Sequence, residues 1–425
     1  MTAETPRPGS RRLLIAGGGL PSLALALALK QAHGPALAVT VIDPSGADPA
    51  RHRGRAYAVA AGARRMLNRL GVWDRLSGAA EPITEMVISD SRLADPVRPV
   101  FLTFGRAFDQ EAEDDRVEDD PFAHMVEAEP LAEALGQACR EAGVAFVLAG
   151  VVRATQEGPA IRAELSTGAQ LRGDLLVAAD GARSRLREAA RIGWVGWSYP
   201  QVGIVATIGH AQPHGGRAFE HFLPAGPFAI LPLRDGGALG HRSSIVWTER
   251  ADAADALLSG EPDEVLAEIE RRFTLDLGTL ALEHGPSRHP LAFGLARSFY
   301  APRLALLGDA AHVIHPIAGQ GLNLGLADAA SLAEAVTGAL RLGLDPGSPD
   351  VLRDYERARR FDSFAMAAAT DGLNRLFSND ALPLRLARDL GLGLVDRLPR
   401  LKRFFIGEAA AARGSRPRLM RGEAL

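Results

Sequence analysis

The sequence predicts an α/β protein with an α+β inserted sheet: a Rossmann-like nucleotide-binding body, an antiparallel sheet set into it, and a helical C-terminal region. Three observations predict it. An apolar strand near the N-terminus runs into a glycine triplet and an Ala/Leu-rich helix. Two later apolar strands end in an Asp-Gly and a Gly-Asp turn, each followed by a helix. Between those turns, residues 198–250 are rich in strand patterns. A chain of 425 residues holds two or three units, or one large α/β body with an inserted sheet.

The first strand, residues 13–16, meets Gly17, Gly18 and Gly19. Gly17 suits the tight turn, and Gly19 lets a pyrophosphate approach the N-terminus of the following helix. A second strand, residues 38–42, ends in Asp43, about 20 or more residues on, where a ribose-binding carboxylate belongs. Ser22 stands where a third glycine normally permits close helix–strand contact; being small, it implies local adjustment and a retained site. Arg53 and Arg55 follow, then a predicted helix over 59–70. Residues 83–104 alternate like strands. The acidic block 109–120 reads as a solvated loop. A helix is expected over 130–142. The strand from 174 runs into Asp180 and Gly181. Strands are expected at 202–208, 218–223, 228–233 and 243–247, with an apolar face lining a pocket.

The strand at 304–307 ends in Gly308 and Asp309, and a Pro- and Gly-punctuated loop leads to a helix over 320–340. An acid at the end of an apolar strand is placed to meet a ligand. Gly319 and Gly321 let the backbone approach a flat ligand. The helix beside them offers free N–H groups and a positive dipole end. Residues 375–421 carry eleven basic and four acidic side chains interleaved with Leu, Phe and Ile. That composition suits a surface for anionic lipid or another protein, or equally a helix pair with solvated arginines.

Composition excludes several classes. The single cysteine, Cys139, allows no disulfide within the chain and reads as a core thiol. The first ten residues are polar, no apolar run reaches the roughly 20 residues of a membrane span, and a cytoplasmic protein is expected. A net charge of −3 without aromatic–basic interleaving gives no case for nucleic acid. His312 and His315 lie three apart without a carboxylate or thiolate cluster, so no metal site is expected.

Three motifs in order, Gly17 to Gly19, Asp180-Gly181 and Gly308-Asp309, resemble those of the single-component FAD-dependent aromatic hydroxylases, the group that includes p-hydroxybenzoate hydroxylase. The runs 197–201, 226–233, 310–328, 355–360 and 371–379 are similar to those of the ubiquinone-biosynthesis hydroxylases, and the likeness extends from about residue 11 to the C-terminus. The resemblance implies an FAD-binding domain from residues 11–82, 124–196 and 296–345. It implies a substrate domain from the strands and acidic loop of 83–123 and the antiparallel sheet of 197–295, with a helical region over 346–425.

By motif, the resemblance assigns FAD contacts to Gly17, Gly19, Ser22, Asp43, Arg55, Asp180, Gly181, Gly308, Asp309, Gly321, Leu322 and Asn323. Pro316, Gly319 and Gln320 form the loop beside the flavin, with Pro316 next to the ring. The N–H groups of Leu322 and Asn323 face its pyrimidine edge. Asp309 meets the ribityl–phosphate region, and Arg55 the pyrophosphate or incoming nicotinamide nucleotide. Since there is one glycine fingerprint, NADH or NADPH binds transiently, and molecular oxygen is the co-substrate. The implied reaction hydroxylates the ring of a polyprenyl phenol through a flavin C4a-hydroperoxide. Other ubiquinone-biosynthesis proteins and a peripheral membrane contact are the implied partners. Two alternatives stay open: a related flavin monooxygenase acting on another aromatic, and a non-catalytic FAD-binding component of a quinone-synthesis complex. A flavin halogenase does not fit. Trp194 and Trp197 have the wrong spacing for its motif, and the only lysines, Lys30 and Lys402, lie on the first helix and in the tail.

Overall fold

The computed structural model describes residues 10–90, 100–105, 121, 123–272, 277–377 and 416–425. Strand β1 (Arg11–Ala16) lies inside a six-stranded sheet, and its residues 13–16 are buried. A parallel strand covered on both faces reads as an unbroken apolar run, as here. Across the sheet the order is β18 (Tyr300–Ala301), β19 (Leu304–Leu306), β12 (Leu175–Ala178), β1, β2 (Leu37–Ile42) and β8 (Ala145–Val147). The last five are parallel, and β18 turns back antiparallel at the edge. Helix α1 (Leu20–His33) is apolar nearly all round because β2, α3 (Ala128–Glu141) and α7 (Gln320–Arg341) all pack on it. Strands β9 (Val151–Glu157), β10 (Ala160–Leu165) and β11 (Gln170–Gly173) form a small sheet beside this body.

The inserted sheet has eight strands, in the order β20 (His312–Val313), β17 (Leu280–Ala296), β13 (Trp194–His210), β16 (His241–Arg250), β15 (Gly226–Leu233), β14 (Arg217–Leu223), β5 (Glu85–Asp90) and β6 (Val100–Gly105). Within residues 197–295 every strand pair is antiparallel, as expected, and β5 joins beyond them parallel to β14, so the whole sheet is mixed. More than a hundred residues separate those two strands, so the connection constrains neither direction. Helices α5 (Ala251–Leu258) and α6 (Pro262–Arg272) cover one face, closing a core that holds Ile204, Ile208, Phe228 and Trp247.

The helix expected from residue 59 begins later. Strand β3 (Ala56–Ala60) first pairs with β7 (Ala123–Glu127), which also pairs β4 (Ala80–Ile83), and α2 (Ala61–Arg69) then follows. Tertiary hydrogen bonds win over local helix preference at this point. Asn323 Oδ1 accepts from Ala60 N–H at 3.0 Å, and Asn323 Nδ2 donates to Ala58 O at 2.9 Å. The helix expected at 130–142 starts two residues earlier, as α3. Helix α4 (Arg185–Ala189) follows the Asp-Gly turn, and α8 (Pro349–Phe377) lies over α7 and both large sheets.

The acidic block 109–120 and most of the basic segment 375–421, including Arg400, Lys402 and Arg403, lie outside the described residues. Of that segment, residues 416–421 pack on the body: Arg418 N–H donates to Glu334 and Arg65 Nε to Met420 O. Cys139 is fully buried, donates to Leu23 O, and burial pushes its thiol up to about 12. Among the described residues no helix is long and apolar enough to cross a membrane, and no His/Cys/Asp/Glu cluster is placed to hold a metal.

Candidate active site

A cavity of about 580 Å³ opens where three parallel strands end, at Gly19 after β1, Gly181 after β12 and Asp309 after β19. Its opposite wall is the inserted sheet, contributing among others Val205, Ala218, Glu220, Ala229 and Val246. A crevice beyond the carboxyl ends of parallel strands is the usual ligand position in an open α/β sheet.

The glycines shape the first wall. Gly17 has φ of +115°, and a Cβ there would collide with the Ala179 carbonyl. Gly19 faces the cavity at the start of α1, with only Pro21 near a Cβ built on it. Asp43 stands behind this wall and does not line it. Its carboxylate accepts from Gly18 N–H at 2.7 Å, Ser45 N–H at 2.8 Å and Arg51 Nη1 at 3.0 Å. Arg51, which the sequence does not single out, also donates to Gly18 O. Ser22 lines the cavity. The close helix contact sits elsewhere, where a Cβ on Gly325 of α7 would meet Pro21 of α1 at 2.7 Å.

Gly181 lines the cavity with φ of +85°, whereas Asp180 holds the turn, accepting from the Ser184 hydroxyl at 2.5 Å and Leu186 N–H at 3.3 Å. Arg55 and Asp309 line the cavity together. Asp309 is open to the cavity yet ringed by protein. Burial raises its carboxyl above the ordinary range, against the opposing pull of His312 and Arg55.

Behind Gly308 lies a buried hub. Asp328 of α7, fully buried, accepts from Gly308 N–H at 3.2 Å, His312 Nε2 at 2.6 Å and Arg359 Nε of α8 at 2.8 Å. Burial alone would raise its carboxyl; His312 and Arg359 outweigh that and hold it below the ordinary range. The hub fixes the Gly-Asp loop from behind. Sequence reasoning missed it, since its members are far apart in the chain.

Pro316, Gly319, Gln320, Gly321 and Leu322 all line the cavity. Gly319 sits at φ of +62° as the N-cap of α7, a conformation that favours glycine. Nothing lies within 4 Å of a Cβ built on Gly321, so the backbone there is open to a flat ligand. Asn323 does not line the cavity, because its side chain is spent on β3. His315 is fully buried and pushed down to about 4 by burial, so it is neutral at physiological pH. Its ring meets Tyr199 edge-on at 5.3 Å. These features suit FAD: a glycine turn at a helix N-terminus for the pyrophosphate, an acid and an arginine midway, and an open loop before a second helix for the ring.

The inserted sheet adds a residue that the sequence did not reveal. Glu220 of β14 lines the cavity at 3% exposure, and burial raises its carboxyl to about 7. Among the described residues it has no hydrogen-bond or ion-pair partner.

Comparison with known proteins agrees with this geometry. The model of the FAD binding domain family matches residues 11–370. Ubiquinone hydroxylase UbiL of Rhodospirillum rubrum is 42% identical over 96% of this chain and 92% of its own. The 3-demethoxyubiquinol 3-hydroxylase of Escherichia coli is 33% identical over 92% of this chain and 96% of its own. Among solved structures, p-nitrophenol 4-monooxygenase PnpA of Pseudomonas putida shares the fold, with a TM-score of 0.73 at 20% identity over 96% of this chain and 99% of its own. With the family match spanning most of its length and a relative so similar end to end, the chain belongs to the FAD-binding aromatic-ring monooxygenases that include the ubiquinone-biosynthesis hydroxylases.

Proposed function

We propose that this monooxygenase hydroxylates the aromatic ring of a polyprenyl phenol on the way to ubiquinone, with NADH or NADPH as transient reductant and molecular oxygen as co-substrate. One observation carries the reading: a single cavity joins the strand-end glycine and Gly-Asp wall to an apolar sheet wall, in a chain 42% identical to a ubiquinone hydroxylase. FAD, when bound, supplies the activation of oxygen. The protein's own residues orient and enclose. Gly19 and the start of α1 receive the pyrophosphate, with Ser22 beside them and Asp43 bracing the turn. Asp180 and Gly181, with Gly308, set the shape of the wall. Arg55 and Asp309 meet the cofactor's middle. Pro316, Gly319 and Gln320 bound the ring, and the first-turn N–H groups of α7, around Gly321, Leu322 and Asn323, bring positive potential to its edge. The sheet residues exclude water from the reacting ring.

The substrate's tail keeps it in a membrane or on a carrier, since each buried CH₂ is worth roughly 0.8 kcal/mol. Docking on anionic lipid or on other ubiquinone-biosynthesis proteins therefore belongs to the same proposal. Deleting the gene tests it. The deletion strain should accumulate a polyprenyl phenol one hydroxyl short of the next intermediate and lose ubiquinone. Normal ubiquinone with no accumulating phenol counts against the reading.

A further inference from the structure

Among the described residues, Glu220 is the one carboxylate on the sheet wall of the cavity. Along β14, Ala218, Glu220 and Phe222 share a face, and Ala218 and Phe222 belong to an apolar cluster with Met86 and Ile88. The intervening residues point the other way: Phe219 packs on the core under α5 and α6, and His221 Nδ1 bonds the Ser89 hydroxyl at 2.6 Å. Beside Glu220 in the sheet stand Ala229 of β15 and Ile88 of β5. Farther along the wall are Val205, Leu231 and Val246, with the Thr248 hydroxyl the nearest thing to polarity on β16. A buried carboxylate without a partner is costly and calls for an explanation.

Among the described residues, the titratable groups facing the same cavity are His52, Arg55 and Tyr57 from the β3 side, His289 of β17, and Asp309 and His312 from the Gly-Asp loop. None of them shifts Glu220; burial is the only influence on it. Glu220 thus lines the cavity among apolar side chains, a setting that suits a ligand with a hydrogen-bond donor on an apolar body.

We propose that Glu220 is the catalytic acceptor for the ring hydroxyl of a neutral phenol: its carboxylate takes the hydroxyl's hydrogen bond on binding and its proton as the ring reacts. This rests on the hydroxylase reading and deepens it by naming the group that anchors the substrate. The phenol O–H bond breaks and its electron pair stays on the phenol oxygen, enriching the ring carbons ortho and para to it. The proton rides on a Glu220 carboxylate oxygen and returns to the phenol oxygen in the product, while the hydrogen on the hydroxylated ring carbon leaves as a proton. No electrons change hands in this step. An aromatic acid fits the wall poorly, because its carboxylate would lie beside that of Glu220 among apolar side chains, where like charges repel.

The test compares the FAD-loaded parent with E220Q and E220L, using ortho-prenylphenol as probe. The ultraviolet difference spectrum of the bound probe reports hydrogen bonding and ionisation of its hydroxyl. In the parent, a red-shifted band should grow as pH rises through about 7. In both variants the pH-dependent band should vanish, with FAD content unchanged. Hydroxylation by E220Q should fall about 100-fold in kcat, the scale of a lost acid–base group, with KM moved only slightly and no rise of rate through neutrality. A parent without the band, or E220Q with the parent's band and pH profile, overturns the assignment. A parent that shows the band but forms no hydroxylated product overturns the hydroxylase reading and leaves Glu220 as the hydroxyl acceptor.

Discussion

Glu220 carries a consequence for stability as well as for substrate. Its carboxyl ionises at about 7 when folded, against 4.5 ordinarily. The folded protein therefore keeps a proton that the unfolded chain releases. Stability falls as pH rises from 4.5 to about 7 and stays at the lower level above that. The deficit amounts to roughly 3 kcal/mol at most, since each pKa unit is worth about 1.4 kcal/mol. E220Q should therefore melt higher than the parent above neutrality and match it in mild acid. Melting curves that stay parallel across that range would show that Glu220 is solvated in the folded protein. A group kept at such a cost to the fold is what a functional site requires.

At the scale of elements, α8 ties the two walls of the cavity together. Near its start the Tyr355 hydroxyl donates to Leu306 O of β19 at 2.7 Å, and Arg359 enters the Asp328 hub. Near its end, Asp371 accepts from the Tyr199 hydroxyl at 2.6 Å, and Asn374 Nδ2 donates to Gln201 Oε1 at 3.0 Å, both partners on β13. One helix thus holds the Gly-Asp loop and the inserted sheet in register. R359M leaves the buried Asp328 with only His312 and the Gly308 N–H, and without its guanidinium. Breaking a buried ion pair by removing one partner costs about 3–5 kcal/mol. The variant should lose that much stability in urea titrations and retain FAD poorly, because Gly308 and Asp309 lose their backing. Parent-like stability and FAD retention together would show that the hub is not what holds the loop. The turns at Gly17, Gly181 and Gly308 were legible in the sequence, because turn chemistry is local. The hub was not: charged residues on helices ordinarily read as solvated, and Asp328 and Arg359 meet only once α7 and α8 are packed.

Across the whole molecule, the six-stranded sheet could be read from its apolar strands, since strands covered on both faces advertise themselves. The inserted sheet was harder. Its strand β17 carries His284, Gly285, Pro286, Arg288, His289 and Pro290, which break any alternation, and it was not anticipated. The parallel pairing of β14 with β5 depends on where a long connection returns, which no local pattern records. Glu220 was hidden for the same reason: a lone acid in a strand reads as solvent-facing until the sheet closes over the cavity. The central claim is that these two walls make one oxygenating site for a polyprenyl phenol. It is tested most directly by giving the purified, FAD-loaded protein NADH or NADPH, a short-chain prenyl phenol and heavy-isotope dioxygen, then weighing the product. The protein should be yellow, and its product should gain one hydroxyl carrying a single heavy oxygen atom, in proportion to reductant consumed. Protein that takes up FAD and consumes reductant but leaves the phenol unlabelled would contradict it.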